Sequence, residues 1–261
     1  MSLNLRIGRI RGIDLYIHWT FWLLPVWIVF SHDGREMFPL WMHLLLIASL
    51  FGCVILHELG HALTAQRFGI GTRDITLTPL GGIAQLERMS TKPWEEFCIA
   101  IAGPLVNVAI AVLLGPLLLA WAMVWPGAWD SLAWQFGGML WLLNVIMVVF
   151  NMIPAFPMDG GRVLRALLAA SMDRLRATRI AVAVGTGFAI LFGLAGMFVL
   201  ANPWLLLIAL FVILAGHQEL AALEYEERRR RLEEADAMNV TLVLWDPVHR
   251  TWVRRNYGGE S

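Results

Sequence analysis

Six apolar stretches, each near the length that a bilayer crossing needs, limit this chain more than any other feature of its sequence. They cover residues 15–31, 38–64, 95–124, 134–153, 178–200 and 204–220. A hydrocarbon core about 30 Å thick takes roughly 20 helical residues. A backbone in lipid must satisfy its own polar groups, which leaves helices or closed barrels, and runs this long and continuous read as helices. The expected fold is an all-α polytopic membrane protein of six transmembrane helices. Composition agrees, since 58% of the 261 residues are hydrophobic and 15% charged, against about 25% charged in a soluble domain. The two cysteines, Cys53 and Cys98, lie in apolar surroundings and make no disulfide framework. Arg6, Arg9 and Arg11 precede the first stretch as in a signal peptide, but no small-x-small cleavage pattern follows it. It reads as a retained span.

Orientation follows from charge. Lys and Arg accumulate in cytoplasmic loops, and with the N-terminus inside, the inner segments hold 19 of the 20 Lys and Arg residues, the outer ones only Arg35. Both termini are therefore expected in the cytoplasm. Residues 1–14 form a cytoplasmic N-terminal segment, 15–220 the membrane domain and 221–261 a cytoplasmic tail. With a net charge of zero, no nucleic-acid partner is expected; the lipid bilayer is the first partner. Between the second and third spans, residues 74–87 alternate β-branched and polar residues and turn at Pro79-Leu80-Gly81-Gly82, which predicts a short re-entrant or interfacial β-hairpin. In the tail, residues 224–237 continue the last helix as a charged extension, and residues 241–253 alternate around Asp246-Pro247 like a second small hairpin.

The second span ends in a sequence with chemistry in it. His57-Glu58-Leu59-Gly60-His61 is the His-Glu-x-x-His pattern. Residues four apart share a helix face, so both imidazoles can reach one zinc ion, with Glu58 beside them as general base toward water. Ionisable groups inside a span are costly unless buried and partnered, and are functional by default. Gly60, lacking a side chain, lets another backbone come close. A third ligand must come from another span. The fourth ends in Asn151-Met-Ile-Pro154-Ala-Phe-Pro157-Met-Asp159-Gly160-Gly161, where two prolines break the helix next to an acid. Broken backbone at membrane depth is tolerated only where protein or water covers it, so the break implies an internal polar cavity. Two histidines, Asp159 and one water make a catalytic zinc tetrahedron.

These paired motifs resemble the site-2 protease family of intramembrane zinc metalloproteases. The likeness extends over residues 18–22, 77–84 and 102–107, and spans most of residues 10–220. It implies one zinc ion per chain held by His57, His61 and Asp159, water activated by Glu58, and Asn151 as a substrate or oxyanion contact. It also implies an edge segment near Gly81 and Gly82 along which an unwound substrate lies, with Asn107 a further substrate-contact candidate. The implied reaction is hydrolysis of a peptide bond within or near the transmembrane segment of a protein such as a membrane-bound transcription regulator or anti-sigma factor. The implied setting is a prokaryotic plasma membrane with the site toward the cytoplasm. The chain departs from other members in having neither a PDZ insertion nor room for a tandem CBS domain.

Other residues have quieter readings. Cys53, four before His57, is expected to pack rather than ligate, and Asn107 and Asn144 to tie helices together. Gly185, Ala189 and Gly193 make a close-packing face on the fifth span. Of two rival functions, a transporter leaves Glu58 between two histidines without purpose, and a zinc-binding membrane scaffold needs a fourth protein ligand, for which no candidate but Cys53 stands out.

Overall fold

The computed structural model describes residues 4–32, 38–79, 81–88, 90–238, 240–246 and 251–257, the side chains of Leu86 and of residues from 235 onward excepted. The chain opens with strands β1 (Asn4–Ile10) and β2 (Ile13–His18), then a 3-10 turn at Trp19–Trp22 and the short helix α1 (Leu23–Ser31). Helix α2 (Leu40–Arg67) carries the two histidines. Strands β3 (Thr72–Thr78) and β4 (Gly81–Leu86) follow, then α3 (Pro93–Val124), α4 (Leu132–Asn151), α5 (Asp159–Ala169), α6 (Arg174–Phe198) and α7 (Trp204–Met238). A last pair, β5 (Val240–Asp246) and β6 (Thr251–Tyr257), is antiparallel.

Five helices, α2, α3, α4, α6 and α7, are long and apolar enough to cross a membrane. Their surfaces are inside out relative to a soluble domain. Leu113, Leu117, Phe198 and Phe211 are exposed, whereas Asn107, Asn144, His57 and Asp159 are buried. Apolar surface of that extent has no stable place in water. The chain is a multi-pass membrane protein.

The structure corrects three expectations. The fold is not all-α, because β1-β2-β3-β4 form one sheet in that order. The hairpin expected at residues 74–87 exists as β3 and β4, but β3 also pairs in parallel with β2, with Asp14 opposite Asp74 and Ile17 opposite Leu77. The turn residue Leu80 lies outside the described residues. Second, the stretch 15–31 is not one spanning helix: its start is β2 and its apolar helical part, Trp19–Ser31, falls short of spanning length. The reason is legible in Ile13-Asp-Leu-Tyr-Ile-His18, whose period of two sends Ile13 and Leu15 to a buried face while its mean hydropathy merges with that of α1. Third, residues 159–169, between the expected spans 134–153 and 178–200, are not a plain connection but form α5, an amphipathic helix that buries Asp159, Val163, Arg165 and Ala166. The tail agrees with expectation, since α7 runs on through the charged segment and β5 pairs with β6; Pro247 lies outside the described residues.

Packing places the sheet beside the histidines. Ile13, Leu15 and Ile75 form one buried cluster with Leu59 and Ala62 of α2. Phe21 stacks edge-on against Phe51, their centroids 4.6 Å apart, and His32 lies beside His43. The segment from β2 to α1 thus runs antiparallel to α2, from the level of the motif toward its start. On α6 the expected small-residue face is real: a methyl on Gly193 would meet Ala209 of α7 at 2.9 Å, and one on Gly185 would meet Ala155 at 2.8 Å. That second contact seats α6 against the proline-broken segment after α4.

Candidate metal centre

The helix rule puts His57 and His61 on one face of α2, and the structure brings Asp159 to them from the first turn of α5. His57 Nε2 is 3.1 Å from His61 Nε2 and 3.1 Å from Asp159 Oδ2; His61 Nε2 is 3.2 Å from that oxygen. All three side chains are buried. The edges of this triangle are close to the roughly 3.3 Å edge of a tetrahedron with 2.0–2.1 Å metal–ligand bonds. Among the described residues, these three form a group that could hold a metal ion.

The far side of each ring is fixed. His57 Nδ1 donates to Asn107 Oδ1 at 2.6 Å, and His61 Nδ1 donates to the Ile99 carbonyl at 2.7 Å. With protons assigned to both Nδ1 atoms, both Nε2 lone pairs face inward, the tautomer that metal-binding histidines require. Asn107 is held in turn, as its Nδ2 donates to Asn144 Oδ1 at 2.8 Å, and Asn144 donates to the Leu140 carbonyl and to Cys53 Sγ.

Space at the triangle is kept by a residue within 102–107 that the sequence reading gives no role. A Cβ built on Gly103 of α3 would lie 2.2 Å from His61 Nε2 and 2.7 Å from His57 Nε2, where a metal bonded to both nitrogens would sit. The residues present therefore fit a metal ion. Ile99, Gly103 and Asn107 recur every four residues, so one face of α3 supplies the acceptor for His61, the open space and the acceptor for His57. That period within 99–107 is the signal that could have found Gly103.

The other expected site residues divide. Gly60 lets α3 approach, for a methyl there would meet the Ala102 carbonyl at 2.8 Å. Glu58 follows His57 on α2, and Gly82 of β4 lies against it: a Cβ on Gly82 would stand 2.5 Å from Glu58 Cγ. β4 is also an end strand of its sheet, so its outer edge has backbone groups to offer. Gly81, at φ +134°, starts that strand in a conformation L residues rarely adopt. Asn107 ties α3 to α4 through Asn144 as expected, but it is fully buried behind His57 with both ends of its amide bonded, the geometry of a ring-orienting group rather than of the expected substrate contact. Asn151, the last residue of α4, donates to the Met147 carbonyl one turn back at 3.0 Å. Asp159 is not a helix cap, because Met158 occupies that position and the carboxylate aims at the histidines.

Comparison with known proteins agrees with this geometry. The model of Peptidase family M50 matches residues 45–125 and 115–194. A zinc metalloprotease of Methanocaldococcus jannaschii is 35% identical over 256 residues, covering 95% of this chain and 69% of that one. Stage IV sporulation protein FB of Bacillus subtilis is 27% identical over 193 residues, 72% of this chain and 60% of that one. The solved structure of a site-2 protease from Methanocaldococcus jannaschii superposes with a TM-score of 0.57 at 34% identity, covering 83% of this chain and 95% of that one.

Proposed function

Because the chain belongs to peptidase family M50, the site-2 protease family, we propose that it is an intramembrane zinc metalloprotease that cuts a peptide bond within or near the transmembrane segment of a protein substrate. The observation that carries this reading is the meeting of His57, His61 and Asp159 at 3.1–3.2 Å with Glu58 next in the chain. His57, His61 and Asp159 hold one zinc ion per chain. When bound, zinc supplies Lewis acidity toward water and the scissile carbonyl. Glu58 takes the proton of the attacking water and passes it to the leaving amine nitrogen. Asn107 and the Ile99 carbonyl keep the rings turned inward, and Asn151 at the end of α4 steadies the oxyanion or the substrate backbone.

A transmembrane helix has its carbonyls tied in hydrogen bonds and must unwind before cleavage. The free edge of β4 offers replacement bonds by strand addition, and the contact of Gly82 with Glu58 sets that edge beside the base. Gly81 and Gly82 are the residues over which the substrate strand passes.

Both termini and the site's entrance face the cytoplasm of a prokaryotic cell, at its plasma membrane. The first crossing is composite, strand β2 followed by α1. This keeps the parity of the charge argument, because the described segment from Ile13 to His32 runs beside α2 from Leu59 to His43, about 24 Å at 1.5 Å per residue. β1 is thus part of the sheet beside the 15–220 membrane domain, and residues 221–261 are a cytoplasmic tail. Substrates are single-span proteins such as membrane-bound transcription regulators or anti-sigma factors. A zinc scaffold or transporter is not favoured, since neither gives Glu58 a task. In proteoliposomes holding candidate single-span substrates, Glu58→Gln is expected to keep zinc and to lower turnover about a hundred- to ten-thousand-fold. Unchanged cleavage by Glu58→Gln would remove the proposed mechanism.

A further inference from the structure

Helix α5 carries a second buried charge that the hydrolysis does not use. Arg165, six residues after Asp159, is 1% exposed. Its Nε donates to Glu96 Oε1 of α3 at 2.7 Å, and its Nη1 donates to Glu219 Oε1 of α7 at 2.6 Å. The guanidinium carbon lies 5.0 Å over the ring of Phe156, in the turn that leads into Asp159. Arg174 of α6 completes the group, its Nη2 3.8 Å from Glu96 Oε2. Two arginines and two glutamates from four helices cancel in charge.

Each contact of Arg165 bears on the frame of the metal centre. Glu96 begins the face of α3 that continues through Ile99, Gly103 and Asn107. Phe156 precedes Asp159 by three residues, and Arg165 shares its helix. A guanidinium presents its donors in a rigid plane, and two charge-assisted bonds to different helices fix both the slide and the rotation of α5.

We propose that Arg165 is a positioning residue for Asp159. By tying α5 to Glu96 on α3 and to Glu219 on α7, it sets where the carboxylate stands between His57 and His61. Through Glu219 it also links that setting to α7, the helix that carries the cytoplasmic tail. The inference rests on reading His57, His61 and Asp159 as zinc ligands.

The test uses the full chain in detergent and the double variant Arg165→Met/Glu96→Gln, which leaves only the partly exposed Glu219 and Arg174 to be solvated. Zinc affinity is measured by chelator competition, coordination by the visible spectrum of Co2+-loaded protein, and folding by thermal unfolding. The expected result is a near-native unfolding midpoint with zinc affinity lowered about 10- to 100-fold, the range for groups that orient metal ligands, and weakened, shifted Co2+ bands. Arg165→Lys, which keeps the charge but replaces the rigid planar fork with a flexible point charge, should fall between wild type and the double variant. Native affinity and an unchanged Co2+ spectrum in a folded double variant would overturn the inference. If the double variant does not fold, an unchanged spectrum in Arg165→Lys does so instead. The underlying reading fails separately, if wild type binds no zinc or if His57→Ala binds it as tightly as wild type.

Discussion

Two buried polar clusters share α3 and α5, and they are built on opposite plans. Around Arg165, donors alternate with acceptors at 2.6–2.7 Å and opposite charges cancel within the protein. Around His57, three acceptor atoms face one another at 3.1–3.2 Å, and the donors that would normally separate them are turned outward to Asn107 and Ile99. The first plan pairs its charges inside the protein and resists change; buried pairs of this kind cost several kcal/mol to break from one side. The second holds its lone pairs in a geometry that only protons or a cation relieve. Alternating partners mark architecture, whereas converging acceptors mark chemistry.

The contrast breaks most completely at Gly103. Gly103→Ala adds one carbon at 2.2–2.7 Å from the two ring nitrogens, so bound zinc is expected to fall from one per chain to near zero, with cleavage lost and thermal stability little changed. Metal analysis of the purified variant checks this. Asn107→Ala comes next: with His57 Nδ1 left without its acceptor, zinc affinity should fall about 10- to 100-fold while some cleavage persists at saturating zinc. Chelator competition and zinc-dependent turnover measure the two effects. Smallest of all, Cys53→Ala should leave zinc affinity and turnover at wild-type values, because Cys53 accepts from Asn144 at 3.4 Å behind the site rather than joining the converging set. A clear loss of zinc in Cys53→Ala would blur the distinction between support and ligand.

How much of this the sequence disclosed depends on distance along the chain. His57, Glu58 and His61 lie within one stretch of helix, so their shared face follows from 3.6 residues per turn. Asp159 needed a second clue, the proline break at 154–157, and the hairpin at 74–87 showed itself through alternation and a glycine turn. Pairing of β2 with β3 was hidden, because the two strands are joined through α1 and α2, and β2 shares the apolar character of α1. The Arg165 cluster was hidden more deeply. Glu96, Arg165 and Glu219 are 69 and 54 residues apart, follow no motif, and Arg165 registers in the sequence only as one more cytoplasmic positive charge. Gly103 falls within 102–107, a stretch that carries part of the family likeness, yet its role is a space rather than a group.

On the proposed reading, two imidazoles of α2 and a carboxylate of α5 bind one zinc ion. Zinc stoichiometry with X-ray absorption at the zinc edge, on the intact protein in detergent, tests it most directly. The expected result is one zinc per chain, nitrogen and oxygen neighbours at about 2.0–2.2 Å and outer scattering from two imidazole rings. A sulfur neighbour at about 2.3 Å, or a zinc-free protein that still cleaves, would contradict it.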